Sequence, residues 1–230
     1  MEGRSTSASE VAKALDLRPH REGGFFRETY RSPHTVSTRS GGRSLATSIL
    51  YLLTEGSPSR FHRLRSDEVW FYHAGSRAEL AMLAVADHKA LDAQQRQSVG
   101  GRPPASGTQE PQGGGLELPE GVWLPQRAPG LPDAKGRLRL HYLGPEQPQA
   151  FVPGGWWLGA RVAPSRANAE GANASECGVD EDPRPECDTR WTLVGCVVTP
   201  GFEYEDFEIA EPESLLAEFP EAADIIKVLT

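Results

Sequence analysis

The stretch Ser59–Gly75, SRFHRLRSDEVWFYHAG, sets one His and one Glu inside two strand-like runs. FHRL and EVWFYHAG are rich in residues that favour strands, and Ser66-Asp67 supplies a polar turn between them. Side chains of a strand point alternately to its two faces. If His62 points inward, Leu64 does too. Beyond the turn, Glu68, Trp70 and Tyr72 then share the inward face, while Phe71 and His73 point away. One His and one Glu facing a common interior admit three readings: a metal site, a proton-transfer pair, or a satisfied polar contact.

The same patterning extends along the chain. Ser7 and Glu10 have the spacing of a capping box, which predicts a short helix through Val11, Ala14 and Leu15 that ends near Asp16. GGFFRETYRS (23–32) reads as a strand after a glycine turn, and RSLATSILYLLTEG (43–56) as one long strand. AELAMLAVAD (78–87) and GRLRLHYLG (136–144) are further strands, and QAFVPGGWWLGARV (149–162) reads as a hairpin about Pro153-Gly-Gly. RWTLVGCVVTPGFEYEDFEIA (190–210) adds two strands, and PESLLAEFPEAADIIKVL (212–229) one or two short helices. Roughly ten short strands separated by turn signals predict an all-β sandwich or barrel with helices only at its ends. Residues 88–136, rich in Gln, Gly and Pro, and 164–188, acidic, read as flexible insertions within a single domain spanning 1–230.

The 230 residues carry a formal charge of −8 and contain no run of Lys or Arg. Nucleic acid and anionic membranes are therefore not expected partners, because phosphate binding needs clustered cations. No stretch has the length and apolarity of a membrane span, and the N-terminus lacks the apolar core of a secretory signal. The expectation is a soluble, cytoplasmic protein. Cys177, Cys187 and Cys196 show no metal-type spacing and read as reduced thiols.

Gly56, His62, Leu64, Glu68 and Gly75 stand at the separations of the first cupin signature, which resembles Gly, His-x-His, Glu and a closing Gly. Leu64 occupies the place of the second His. PGGWWLGARV resembles the second signature, with Leu158 at its His position and Val162 at its Asn position. RPHREGGFFRETYRS, SRFHRLRSDEVWFYHAG, PQAFVPGGWWLGARV, TLVGCVVTPGFEYEDFEIA and LLAEFP look like successive blocks of cupin family 5, domain of unknown function 985. The resemblance implies a cupin double-stranded β-helix, a jelly-roll barrel of the RmlC type, with short terminal helices, and a homodimer. It implies no settled activity.

On strand alternation, Trp156, Leu158 and Ala160 face inward beside His62, Glu68 and Tyr72. Such a pocket, apolar and aromatic with a few polar groups, is the usual make-up of a small-molecule site. Metal sites take three or four ligands. With Leu64 and Leu158 in two His positions, His62 and Glu68 remain only as weak metal candidates, and no metal or other cofactor is expected. A proton-transfer reading assigns catalysis to His62, with Glu68 as its carboxylate and Tyr72 as the complementary acid. Trp70, Trp156, Tyr51 and Thr29 are the expected ligand contacts. The resulting expectation is a barrel that binds a small polar metabolite, a sugar or nucleotide derivative, with metal-independent isomerase or epimerase chemistry. The alternatives are a non-catalytic binding module and a metal-dependent enzyme. His20 and Glu22 read as part of the Gly23-Gly24 turn, Phe202, Phe207 and Ile209 as core, Asp206 and Glu208 as a solvated face, and Cys196 as a small buried hydrophobe.

Overall fold

The run Thr47–Thr54, TSILYLLT, makes β5, a strand packed on both faces. Tyr51 and Leu53 point into the space between two sheets, and Leu52 points to the outside under the N-terminal helix. That two-sided packing is why the segment is almost continuously apolar. The computed structural model describes residues 6–38, 41–85, 137–164 and 190–230. The proposed insertions lie outside the described residues but for Pro164, as do Cys177 and Cys187.

Thirteen strands are present among the described residues. One sheet orders β1 (Arg18–Pro19), β2 (Phe25–Arg31), β5, β12 (Trp191–Thr199), β7 (Asp67–Gly75) and β10 (Gln149–Val152). The other orders β13 (Phe207–Ile209), β6 (Ser59–Leu64), β11 (Trp157–Val162), β8 (Ala78–Leu83) and β9 (Leu138–Leu143). The pairings within both are antiparallel. This is the expected all-β cupin barrel. Between the sheets lies a core that includes Tyr51, Trp70, Leu80, Trp156, Leu158 and Val194. Each such buried apolar side chain contributes about 1.5–3 kcal/mol.

Short helices cover the two outer faces. α1 (Ala8–Ala14) carries the predicted capping box, with Ser7 Oγ accepting from the Glu10 N–H at 3.2 Å, and it packs Ala8 and Val11 over Leu52. α2 (Pro212–Glu218) and α3 (Ala223–Val228) bury Leu215, Ile225 and Ile226 against Phe61, Leu83 and Trp157 on the opposite sheet.

Two expected elements differ. Residues 43–56 form two strands, because the Leu45 N–H donates to His34 and the Ala46 carbonyl accepts from Ser32, breaking the run between β4 (Gly41–Ser44) and β5. β4 pairs instead with β3 (Thr35–Thr38). Residues 149–162 are not a hairpin. β10 pairs with β7 in one sheet and β11 with β6 and β8 in the other, so Pro153–Gly155 carries the chain between sheets. The Gly154 N–H donates to Asp67 Oδ1 at 2.8 Å and the Gly155 N–H to the Leu64 carbonyl at 2.6 Å, tying this crossing to the β6–β7 turn.

Candidate functional site

A β-bulge puts the central histidine in place. Ser59 pairs with Ala160 and His62 with Leu158, so β6 uses one more residue than β11 between the same rungs. The extra residue lets Ser59 and His62 both face the interior, where strict alternation would separate them. His62 is 3% exposed. Its Nδ1 lies 2.9 Å from the Arg60 carbonyl oxygen and 3.3 Å from Glu22 Oε2. Both are acceptors, which assigns the hydrogen to Nδ1 and leaves Nε2 as the ring's basic nitrogen.

Glu22 comes from the loop between β1 and β2. Gly23 has φ +114°, and a Cβ there would sit 1.9 Å from the Pro58 carbonyl oxygen, so only glycine allows this close approach. The Arg60 N–H donates to the Glu22 carbonyl at 2.8 Å, and the Tyr51 hydroxyl to the Gly23 carbonyl at 2.8 Å, holding the loop against the barrel. The Ser59 hydroxyl donates to Glu22 Oε1 at 2.9 Å, and His20 Nδ1 stands 3.4 Å from Oε2. Burial pushes the Glu22 carboxyl up, but His62, His20 and Ser59 together outweigh burial and hold it at about 2.

Glu68 has the opposite fate. Burial, opposed by the nearby His62, pushes its carboxyl up to about 7. Burial and then Glu68 push the Cys196 thiol well above its ordinary value, and burial and then Glu22 do the same to the Tyr51 phenol. Cys196 is a free, buried thiol and therefore stays protonated.

His20, Glu22, His62, Glu68 and Cys196 open on one cavity of about 170 Å³. Its other walls include Phe26, Phe202 and Phe207. Arg31 stands at it with its guanidinium on Glu28 (2.8 Å) and Glu203 (2.7 Å). The segment 201–209 is tied down by the Arg43–Asp206 ion pair at 2.7 Å, both side chains buried.

His62, Leu64 and Glu68 line this cavity as expected. Trp156 meets all three around a smaller hollow. Trp70 is core, and its buried indole N–H faces the Glu68 carboxyl. Tyr51 supports the Glu22 loop from below. Two expected residues lie elsewhere. Tyr72 is four residues, about 13 Å, along β7 from Glu68, and its hydroxyl donates to the Gly75 carbonyl at 2.6 Å. Thr29 is the extra residue of a bulge in β2, where Glu28 pairs with Ile49 and Tyr30 with Ser48. The bulge turns Thr29 and Tyr30 outward and brings Arg31 to the cavity. His73 is exposed, as alternation predicts. Three further expectations change. Glu22 and His20 belong to the glycine turn and are also walls of the site, Phe202 and Phe207 line the cavity, and Asp206 is a buried ion-pair partner. The signal for Glu22 was a His and a Glu beside paired glycines, but alternation says nothing about a loop.

Residues 9–210 match the family Cupin_5, described as cupin superfamily (DUF985). The chain belongs to this family. Among solved structures, this cupin is similar to a hypothetical protein from Leishmania major, at 29% identity and TM-score 0.63, covering 98% of this chain and 99% of that one. It is also similar to protein SO0799 from Shewanella oneidensis, at 27% identity and TM-score 0.59, covering 98% of each. A stretch of 70 residues, 25% of this cupin, is 39% identical to the uncharacterized protein YML079W of Saccharomyces cerevisiae and spans 35% of that protein.

The metal of the cupin signature does not fit the residues present. Leu64 and Leu158 offer no donor atom, which leaves only His62 and Glu68 of the signature's four positions with one. Among the described residues no group of three or more His, Cys, Asp or Glu side chains is arranged to hold a metal ion. Among those residues, too, no helix is long and apolar enough to cross a membrane.

Proposed function

We propose that the cavity binds a small polar metabolite and that His62 moves a proton on it without a metal, as in isomerisation or epimerisation next to a carbonyl. The observation that carries this reading is the Glu22–His62 contact at 3.3 Å inside a closed wall. A carboxylate acceptor at Nδ1 fixes the imidazole's orientation and tautomer and leaves Nε2 as the nitrogen that can take a proton, which is what a general base needs. Glu68, at about 7, is present as both acid and carboxylate near neutral pH and can return a proton or hold a ligand. Sugar and nucleotide derivatives are the ligand classes under this reading.

The test is exchange of substrate C–H protons with deuterated solvent across a panel of sugar derivatives. His62→Gln is expected to abolish exchange in a chain that still folds, with a lowered thermal midpoint because buried Glu22 loses its facing imidazole. Exchange retained in that variant defeats the assignment. A second reading, a non-catalytic binding module, is favoured by the distance of Tyr72 from the cavity, which removes the expected complementary acid. Under it, the parent protein binds a member of the panel and exchanges none.

A further inference from the structure

The charges of the cavity bear on what it holds. This deepens the reading above and rests on it only for where the ligand sits. Glu22, Glu28, Glu68 and Glu203 line the cavity against Arg31 and the imidazoles of His20 and His62. Arg31 is already engaged. Its Nε and Nη2 donate to Glu28 at 3.0 and 2.8 Å, its Nη1 to Glu203 at 2.7 Å, and Nη2 again to the Phe202 carbonyl at 3.2 Å. The lining sets four carboxyls and two imidazoles around a single guanidinium that is itself paired, so it offers an anion no free fixed cation. A neighbouring cavity is no better for an anion, since its Arg63 and Arg65 face Glu205, Asp206 and Glu208.

A second observation points at the occupant. Glu68 is 7% exposed, opens on the cavity and makes no ion pair among the described residues. A buried carboxylate without a cation is costly. Around the same space the rings of His20 and Phe26 meet edge to face at 4.6 Å, those of His20 and Phe207 at 5.9 Å, and those of Phe202 and Phe207 at 6.0 Å. Ring faces carry negative charge and attract cations.

We propose that the cavity selects a small amine, its ammonium group paired with the Glu68 carboxylate and its carbon substituents set among Phe26, Phe202 and Phe207, and that it rejects anionic metabolites, phosphates included. Within the sugar class this favours an amino sugar over a sugar phosphate or nucleotide. The groups facing Glu68 are His62, Trp70, Glu22, His20 and Cys196. An ammonium added to them draws the carboxyl below its resting value of about 7, so binding at pH 7 releases about half a proton.

Benzylammonium, benzyl alcohol and benzoate share one shape and differ in charge. Titrated into the full chain, with the Trp70 indole N–H resonance as reporter, benzylammonium is expected to bind about tenfold more tightly than benzyl alcohol, as for a hydrogen bond between charged groups. Benzoate is expected to bind more weakly than either. Calorimetry in buffers of different ionisation enthalpy is expected to show the proton release for benzylammonium alone. In Glu68→Gln, benzyl alcohol still binds and the preference for the amine disappears. If benzyl alcohol no longer binds that variant, the proton release of the parent decides. Benzoate binding as tightly as benzylammonium, an unmoved Trp70 resonance at millimolar benzylammonium, or a preference surviving in Glu68→Gln overturns the proposal. His62→Gln is expected to keep the preference, so failure of the proton-transfer reading is read from exchange and not from this titration.

Discussion

Two buried glutamates, Glu68 on β7 and Glu79 on β8, sit in opposite surroundings. Glu79 is 4% exposed on the outer face of its sheet. Its cross-strand neighbours are Tyr142 and Arg161. The Tyr142 hydroxyl donates to Oε2 at 2.9 Å, and Arg161 reaches Oε1 through Nε at 2.8 Å and Nη2 at 2.7 Å. Glu68, equally buried, has Val198 and Val152 as its cross-strand neighbours and faces a cavity. One carboxylate is fully partnered by its own sheet. The other meets the Trp70 indole and the charge of His62 but has no ion-pair partner among the described residues. Burial alone does not distinguish a structural acid from a functional one; the residues on the adjacent strands do.

The contrast breaks first at Glu79. Glu79→Ala leaves Arg161 and Tyr142 without their acceptor and is expected to cost about 4 kcal/mol in urea unfolding, as for one member of a buried pair. A loss below about 1 kcal/mol, the level of a surface pair, would make the two glutamates alike.

Glu68→Gln is expected to act with the opposite sign. Below pH 4.5 the carboxyl is protonated in both folded and unfolded chains, and the substitution changes little. As pH rises to 7 the unfolded chain loses the proton and the folded one keeps it, so the parent loses about 3 kcal/mol. The variant escapes that loss and is expected to be more stable than the parent by about this amount at pH 8 and equal to it at pH 4. Unfolding at the two pH values checks the crossing. Glu22 works in the other direction. Its stabilisation is complete above 4.5 and disappears as pH falls toward 2. The thermal midpoint of the parent is therefore expected to peak near pH 5, and Glu22→Gln to flatten the acid limb.

The smallest effect sharpens the boundary of the site. Tyr72→Phe removes one hydrogen bond to the Gly75 carbonyl and is expected to cost about 1 kcal/mol. Benzylammonium binding is expected to be unchanged, because the hydroxyl is turned away from the cavity. A changed affinity would return Tyr72 to the site.

Local signals carried the fold because each depends on neighbours in sequence. The capping box of Ser7 and Glu10 formed as read, the polar turn lies one residue earlier, at Arg65-Ser66, and the apolar part of the 43–56 run forms β5. Alternation also placed His62, Leu64 and Glu68 on one inner face and His73 outside. The ligand contact expected of Thr29 is not made, and the extra residue in β2 reverses the faces beyond it, so that Arg31 rather than Tyr30 reaches the cavity. In the 149–162 segment alternation placed Trp156, Leu158 and Ala160 inward as found, and it was the turn signal that misled, because a turn rich in glycine fits a hairpin and a crossing between sheets equally well.

By itself the sequence determined an all-β sandwich or barrel with a His and a Glu on one inner face, since periodicity is a property of the chain alone, and its resemblance to cupin family 5 supplied the family and the two ligand positions that Leu64 and Leu158 occupy. Only the tertiary structure decided that Glu22, forty residues before His62, holds its imidazole, that Arg31 and Phe207 wall the same cavity, and that Tyr72 does not reach it. Those outcomes depend on bulges, on a glycine packed where a Cβ would stand 1.9 Å from a carbonyl oxygen, and on which strands become neighbours. None of these leaves a period in the sequence.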